Sequence, residues 1–470
     1  MDEARRRRAL WGVMLSIFLA AMESTVVATA MPRVVESLGG IEVYAWVFSG
    51  FLLTATVMMP VWGRLSDLYG RRPVFLVGLG IFLGGSALSG LAGSMLQLIV
   101  FRMLQGLGAG SLMTIGMTIV GELFGLERRA KMQGYISGVW GVASLLGPLI
   151  GGLLADHVSW RWVFYINLPF GAVAMALIAG ALPGGRRAAE RPSIDYPGVL
   201  LFAGGVTALL LGVLEAGRVA VWSGPDVVGP LVAAAAALAA FVAVERRTAR
   251  PIVPLGLFGN RMVLAAGTTG FFAGMAMFGA ISFVPLYLQS VGGMSATAAG
   301  AVLIPFVLGW TVLSVVSARL VLRVGYRSLV VAGMLCLAGA FLLLTRWAPG
   351  LTPATAMRDM LLAGMGMGLN MVPMLIAVQS AVARDELGAA TSMTQFLRTV
   401  GGTVGLAVMG AVMTSRLAAG LPMADALHGA FAVGFVISLA ALAAAFLVPP
   451  GRAQDLARAE LRGEPTRAGG

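Results

Sequence analysis

The sequence predicts an all-α membrane protein of two six-helix bundles joined by a two-helix insert, with 14 transmembrane helices in all. Composition, the length of the apolar runs and an internal repeat lead to this reading. Of the 470 residues, 58% are hydrophobic and 11% charged, against roughly 25% charged in a soluble domain. Most of the chain is therefore expected to be solvated by lipid.

Runs of roughly 20 residues suffice to cross about 30 Å of hydrocarbon. The first six cover 10–31, 45–62, 74–91, 95–120, 132–155 and 162–182. A polar stretch over 183–196 precedes the insert pair, 197–214 and 227–244. The last six cover 262–288, 297–318, 328–347, 360–382, 388–414 and 429–448. The divisions that follow are an N-terminal bundle over 1–183, an insert with its linkers over 184–260, a C-terminal bundle over 261–449 and a tail over 450–470. Arg5–Arg8 followed by the first run mimic a signal peptide, with Ala28-Thr29-Ala30 as a cleavage site. The run is longer than such a segment needs and many spans follow, so it reads as the first helix.

The halves repeat one another, as in many secondary transporters. Pro32 with Ser37-Leu38-Gly39-Gly40 recurs as Pro285 with Ser290-Val291-Gly292-Gly293. Arg64, Gly70 and Arg72 recur as Arg319, Gly325 and Arg327, and Gly106-Leu107-Gly108-Ala109-Gly110 echoes Gly364-Met365-Gly366-Met367-Gly368. The insert has no counterpart. With both termini assigned to the cytoplasm, 25 Arg and Lys residues fall inside and 6 outside, leaving Arg102 and Arg398 within spans. That asymmetry is the one expected of retained cytoplasmic loops.

The net charge of +12 does not point to nucleic acid, because no soluble domain exists to carry a basic patch with interleaved aromatics. One cysteine, Cys336, and two histidines, His157 and His428, give metal or thiol chemistry almost no material. ATP drive is not expected, since no G-x-x-x-x-G-K-[ST] loop occurs. An enzyme would need a cluster of His, Cys or paired acids in one layer, and a receptor a soluble output domain. The aqueous segments are too short for the latter.

Several motifs stand out. The loop after span 2 reads Gly63-Arg64-Leu65-Ser66-Asp67-Leu68-Tyr69-Gly70-Arg71-Arg72; span 4 carries Arg102, Gln105, Gly106 and Gly108. Span 5 carries Gly134, Gly138, Gly141, Gly147-Pro148 and Gly151-Gly152. Trp160-Arg161-Trp162-Val163-Phe164-Tyr165-Ile166-Asn167-Leu168-Pro169 and Glu23-Ser24-Thr25-Val26-Val27-Ala28-Thr29-Ala30-Met31-Pro32 complete the set. Over nearly the whole chain these residues resemble the major facilitator superfamily, specifically its 14-span drug:proton antiporters, many of which carry Asp where this chain has Glu23. The resemblance implies the major facilitator fold, proton coupling at span 4, a conformational latch in the loop after span 2, and an antiporter motif in span 5.

Read physically, Glu23 is the one carboxylate well inside an assigned span, and an ionisable group at that depth is costly enough to be functional by default. Burial favours the protonated form of a carboxylic acid and an approaching cation the ionised form; a group that trades a proton for a cation is what antiport requires. Arg102 lies at similar depth and is the expected partner, across a cavity, with Gln105 one turn on; bracing of the helices through backbone carbonyls is the other reading of Arg102. Asp67 is expected either at the helix dipole near Gly388 or paired in the loop with Arg71 or Arg129, while Arg71 and Arg72 are also ordinary positive-inside charges. The span-5 glycines allow close packing and Pro148 a bend. In the second half Asn370, Met371, Gln379, Gln395 and Arg398 are the candidate substrate cavity, with methionines suited to repacking around different ligands. Arg398 lacks a counter-charge in its own half. It is expected to meet either an anionic group or backbone carbonyls near Gly401-Gly402.

The expected function is proton-coupled export of hydrophobic or cationic small molecules, the multidrug-efflux reading; export of one endogenous metabolite, lipid or siderophore is the alternative. No cofactor is expected beyond the proton gradient. The partners are the substrate, protons and the lipid bilayer, with the chain acting as a monomer in a bacterial inner membrane.

Overall fold

The computed structural model describes residues 2–40, 43, 45–124, 126–183, 195–219, 223–248, 251–294 and 296–450. The linker arginines Arg186, Arg187, Arg191 and Arg250, and the tail after Pro450, lie outside the described residues.

The first half runs through α1 (Glu3–Leu38), α2 (Ala45–Tyr69), α3 (Arg71–Leu91), α4 (Met95–Leu123), α5 (Leu126–His157), α6 (Trp162–Tyr165) and α7 (Asn167–Ala181). The insert is α8 (Tyr196–Val219) and α9 (Pro225–Glu245). The second half holds α10 (Arg261–Ser290), α11 (Ala296–Ala301), α12 (Ile304–Val324), α13 (Tyr326–Leu344), α14 (Pro353–Ala381), α15 (Leu387–Ala418) and α16 (Met423–Ala445). Among the described residues, 13 stretches are long and apolar enough to cross a membrane, α6–α7 and α11–α12 each making one. The remaining helix, α5, has 32 residues, about 48 Å at 1.5 Å per residue. It carries no charge over 138–155.

Helix ends are set by local chemistry. Asp2 accepts a hydrogen bond from Arg5 N at 2.7 Å, and Asn260 from Met262 N at 2.9 Å, each capping orphan donors of the helix it starts. The repeats reappear as backbone geometry. Gly70 (φ 92) and Gly325 (φ 84) turn the chain between α2 and α3 and between α12 and α13, and Gly40 (φ 73) matches Gly293 (φ 64). Positive φ of this kind favours glycine, so the same residue recurs at each equivalent corner. Span 6, expected as one helix, is broken between Tyr165 and Asn167. Pro169 explains the break, because it has no N–H for Tyr165 O and its ring crowds that carbonyl.

Two main apolar cores result, one drawn from α1–α7 and one from α10–α16. Glycines let helices touch within each half. A Cβ on Gly106 would meet Phe51 O of α2, one on Gly108 would meet Phe82 of α3, one on Gly364 would meet Phe306 O of α12, and one on Gly366 would meet Gly333 O of α13. The echoed motif thus performs the same close packing twice. A third core joins the insert to the rest: Phe202 and Val206 of α8 and Phe241 of α9 pack with Leu53, Val57 and Val61 of α2 and with Met393, Phe396 and Val400 of α15. The two-helix insert therefore straddles one helix from each half.

Candidate functional site

Glu23 and Arg102 form an ion pair in direct contact, with side chains 0% and 1% exposed, rather than facing each other across a cavity. Arg102 Nη1 also donates to Gln105 Oε1 at 2.8 Å, and Nε donates to Val47 O at 3.4 Å. Its guanidinium lies 4.1 Å from the centre of the Phe51 ring. Arg102 therefore meets both a carboxylate and a backbone carbonyl, so the two sequence readings of it coexist. The second carboxylate oxygen of Glu23 accepts from Asn167 Nδ2 at 2.6 Å; Asn167 Nδ2 also donates to Ser86 Oγ at 3.0 Å, and Ser86 Oγ donates to Phe164 O at 2.9 Å. Among the described residues Gln105 Nε2 and Asn167 Oδ1 are buried with no hydrogen-bond partner. Sequence reading missed Asn167 and Ser86. A signal was present in Asn167, an amide in an otherwise apolar run, and it is brought to Glu23 by the α6–α7 break.

At the arginine-rich end, Asp67 accepts from Gly388 N at 3.0 Å and Ala389 N at 2.8 Å, two donors of the first turn of α15. It also pairs with Arg71 at 2.5 Å, and Arg71 with Glu122 at 2.6 Å. Helix dipole and ion pair therefore act on Asp67 together. A Cβ on Gly63 would collide with Ser392 and with Gly388 O, so Gly63 lets α2 reach α15. Arg64 Nε donates to Pro251 O at 2.7 Å, in the segment after the insert. Glu245, 3% exposed, holds that segment by accepting from Ile252 N at 2.9 Å and Val253 N at 3.1 Å. Arg72 Nη1 donates to Leu182 O at 3.3 Å.

The span-5 glycines serve two neighbours. A Cβ at Gly134 or Gly141 would press on Val315 or Thr311 of α12, and one at Gly147 or Gly151 on Thr25 or Thr29 of α1. A Cβ at Gly138 or Gly152 would meet no neighbouring helix within 4 Å among the described residues. Pro148 falls within α5, and its side chain lies outside the described residues.

The five second-half residues make contacts both within their own half and with the first half. Gln379 Nε2 donates to Met117 O and to Thr391 Oγ1, both at 3.3 Å, and Gln395 Nε2 lies 3.4 Å from Met117 Sδ. These two glutamines therefore pack against α4 of the first half. Arg398 Nη1 lies 3.0 Å from Met371 Sδ. Asn370 is 3% exposed, and its Oδ1 has no partner among the described residues. Carboxylates other than Glu23 are buried too: Asp67, Glu245 and Asp359, each close to a helix end. Among the described residues no group of three or more His, Cys, Asp or Glu comes together as a metal site. Hydrogen bonds join the halves where Gly388 N and Ala389 N of α15 donate to Asp67, Gln379 Nε2 donates to Met117 O and Thr311 Oγ1 donates to Ser137 O at 3.4 Å.

The comparisons agree with this architecture. The chain is 39% identical over 414 residues to the Multidrug transporter protein MdtP of Bacillus subtilis, covering 88% of this chain and 76% of that protein. It is 34% identical over 413 residues to Multidrug resistance protein 3 of the same species, covering 88% and 80%. The solved structure of the human organic anion transporter MFSD10 superposes with a TM-score of 0.67 at 19% identity, over 95% of this chain and 100% of that one, a likeness of fold. The profile of the Major Facilitator Superfamily matches residues 13–406. With a family match over most of its length and relatives above 30% identity, the chain belongs to the Major Facilitator Superfamily of multi-pass membrane transporters.

Proposed function

We propose that this transporter is a proton-coupled antiporter that exports hydrophobic small molecules by alternating access, in the manner of a multidrug efflux pump. The observation that carries the reading is Glu23, fully buried between Arg102 and Asn167. A carboxylate held by one displaceable cation and one amide can be protonated when Arg102 withdraws and ionised when it returns. Proton uptake is thereby tied to movement of α4 against α1. A cationic substrate has to displace Arg102 to reach Glu23, which narrows the role expected for cations from the sequence. The names of the Bacillus relatives support export of more than one compound.

We read the arginine-rich end, where α2 meets α15, as closed and assign it to the cytoplasm of a bacterial inner membrane; a C-terminal reporter active only outside the cytoplasm would contradict the assignment. We assign the divisions 1–183, 184–260 and 261–449 as moving halves and insert, with Asp67 and its contacts on α15 as the latch between the two closed and open arrangements, and the chain acting as a monomer. Everted vesicles supplied with an external lipophilic dye test the function. Accumulation that collapses with a proton uncoupler supports it, and accumulation indifferent to the uncoupler removes proton coupling.

A further inference from the structure

Two arginines lie deep within spans, and they are treated differently. Arg102 is neutralised by Glu23. Arg398 stands on α15, eleven residues and so about 16 Å along the helix from Leu387. Among the described residues no carboxylate pairs with it. Among those residues its Nη1 meets only the thioether of Met371, and its Nε is buried with no partner. A thioether is a weak acceptor, whereas a guanidinium is a planar fork of five donors that matches carboxylate and phosphate oxygens in pairs.

The surroundings direct this fork. A Cβ on Gly274 of α10 would strike Arg398 O and stand 3.1 Å from its Cγ, so α10 presses closely on the stem. Met371 and Leu375 of α14 pack on the core of the first half, which places the head of Arg398 where the two halves face each other. Gln395, one turn earlier on the same face, turns its amide to Met117 of the first half. The charged head thus has polarisable, apolar walls and an unmet demand for an anion.

We propose that Arg398 is the recognition site for an anionic oxygen group, a carboxylate or a phosphate, carried by an amphipathic molecule. The transporter then takes lipophilic acids and zwitterions, their apolar bodies lying against methionine side chains. This rests on the reading that the space between the halves receives the exported substrate. A lipophilic cation gains no such partner, because Glu23 is already held by Arg102. An uncompensated charge at the bilayer centre carries a penalty equivalent to roughly a hundredfold in affinity, which sets the scale of the preference.

The test is equilibrium binding to the full chain in phosphatidylcholine nanodiscs, without any gradient, so that it is independent of whether transport is proton-driven. The probes are 1-naphthylacetate and its uncharged amide, matched in size. Wild-type protein is expected to bind the acid at least tenfold more tightly than the amide. Arg398→Gln is expected to bring the ratio close to one, and Arg398→Lys, which keeps the charge and loses the fork, to leave an intermediate ratio. Should the Gln variant fail to fold, the Lys variant decides alone. Repeating the measurement with phosphatidylglycerol separates the sources of the anion. Loss of the acid preference in wild type there means that a lipid phosphate occupies Arg398, and an unchanged preference means that the site serves the small molecule. Equal binding of acid and amide by wild type in phosphatidylcholine, or an acid preference that survives both substitutions, overturns the proposal.

Discussion

The Asp67 carboxylate sits on the N-terminus of α15, 3.0 Å from Gly388 N and 2.8 Å from Ala389 N. These donors have no partner within their own helix, and a carboxylate beside a partly buried helix start contributes up to about 2 kcal/mol. The link joins two helices from different halves, so it stabilises only the arrangement in which the arginine-rich end is closed.

Asp67→Asn is therefore expected to weaken the closed arrangement by about 1 to 2 kcal/mol, roughly a tenfold change in the ratio of closed to open. Spin labels on exposed Lys131 and Arg323, one in each half, would report a larger population of long distances in the variant. Ligand affinity should change little, because the latch is far from Arg398 and Glu23. An unaltered distance distribution would show that this end stays closed without the Asp67 contacts to α15.

The insert offers a second test. The Phe202 ring lies 5.2 Å from that of Phe241 and 5.3 Å from that of Phe396, so it binds the insert to itself and to α15. Phe202→Ala is expected to cost about 3 to 5 kcal/mol, as for a large core side chain. The single cysteine, Cys336, lies in α13 and is free, so a thiol-reactive dye can follow unfolding without further substitutions. The melting temperature should fall by several degrees. An unchanged value would mean that α8 rests on α15 without stabilising it.

Much of this was legible in the sequence, and the reasons are physical. Charges in apolar runs are rare because they are costly, so Glu23 and Arg102 announced themselves, and depth along two helices sufficed to pair them. Gly70 with Gly325 and Gly40 with Gly293 were legible as repeats because left-handed corners favour glycine. Neutral polar residues carry a weaker mark. Ser86 resembles an ordinary helix residue, and Asn167, though an amide in an apolar run, meets Glu23 only through the break ahead of Pro169. Nor does an apolar helix face name its partner, so the seating of α8 across α2 and α15 was hidden. Asn370, Met371, Gln379, Gln395 and Arg398 were grouped by depth, and helix rotation, which depth does not give, sets the partner of each. It sends Gln379 and Gln395 to Met117 and Arg398 to Met371.

Removing one partner of a buried ion pair leaves an uncompensated charge, at a cost of about 3 to 5 kcal/mol. Glu23→Gln alone should therefore lower thermal stability, since Arg102 then faces an amide. Pairing it with Arg102→Met is expected to recover most of the loss, as replacing both members of a buried pair is often neutral. The Cys336 dye assay on wild type, both single variants and the double variant closes the cycle. Additive losses would show that the two side chains do not interact energetically.

The central claim is that Glu23 carries the exchanged proton, and substrate-induced proton release in proteoliposomes tests it most directly. Wild-type protein should release protons on addition of substrate. The Glu23→Asp variant should release fewer, its shorter side chain reaching Arg102 and Asn167 less well. The Glu23→Gln/Arg102→Met variant, which keeps the fold without a titratable group at this position, should release none while still binding substrate. Proton release from that double variant at the wild-type level would remove Glu23 from the mechanism.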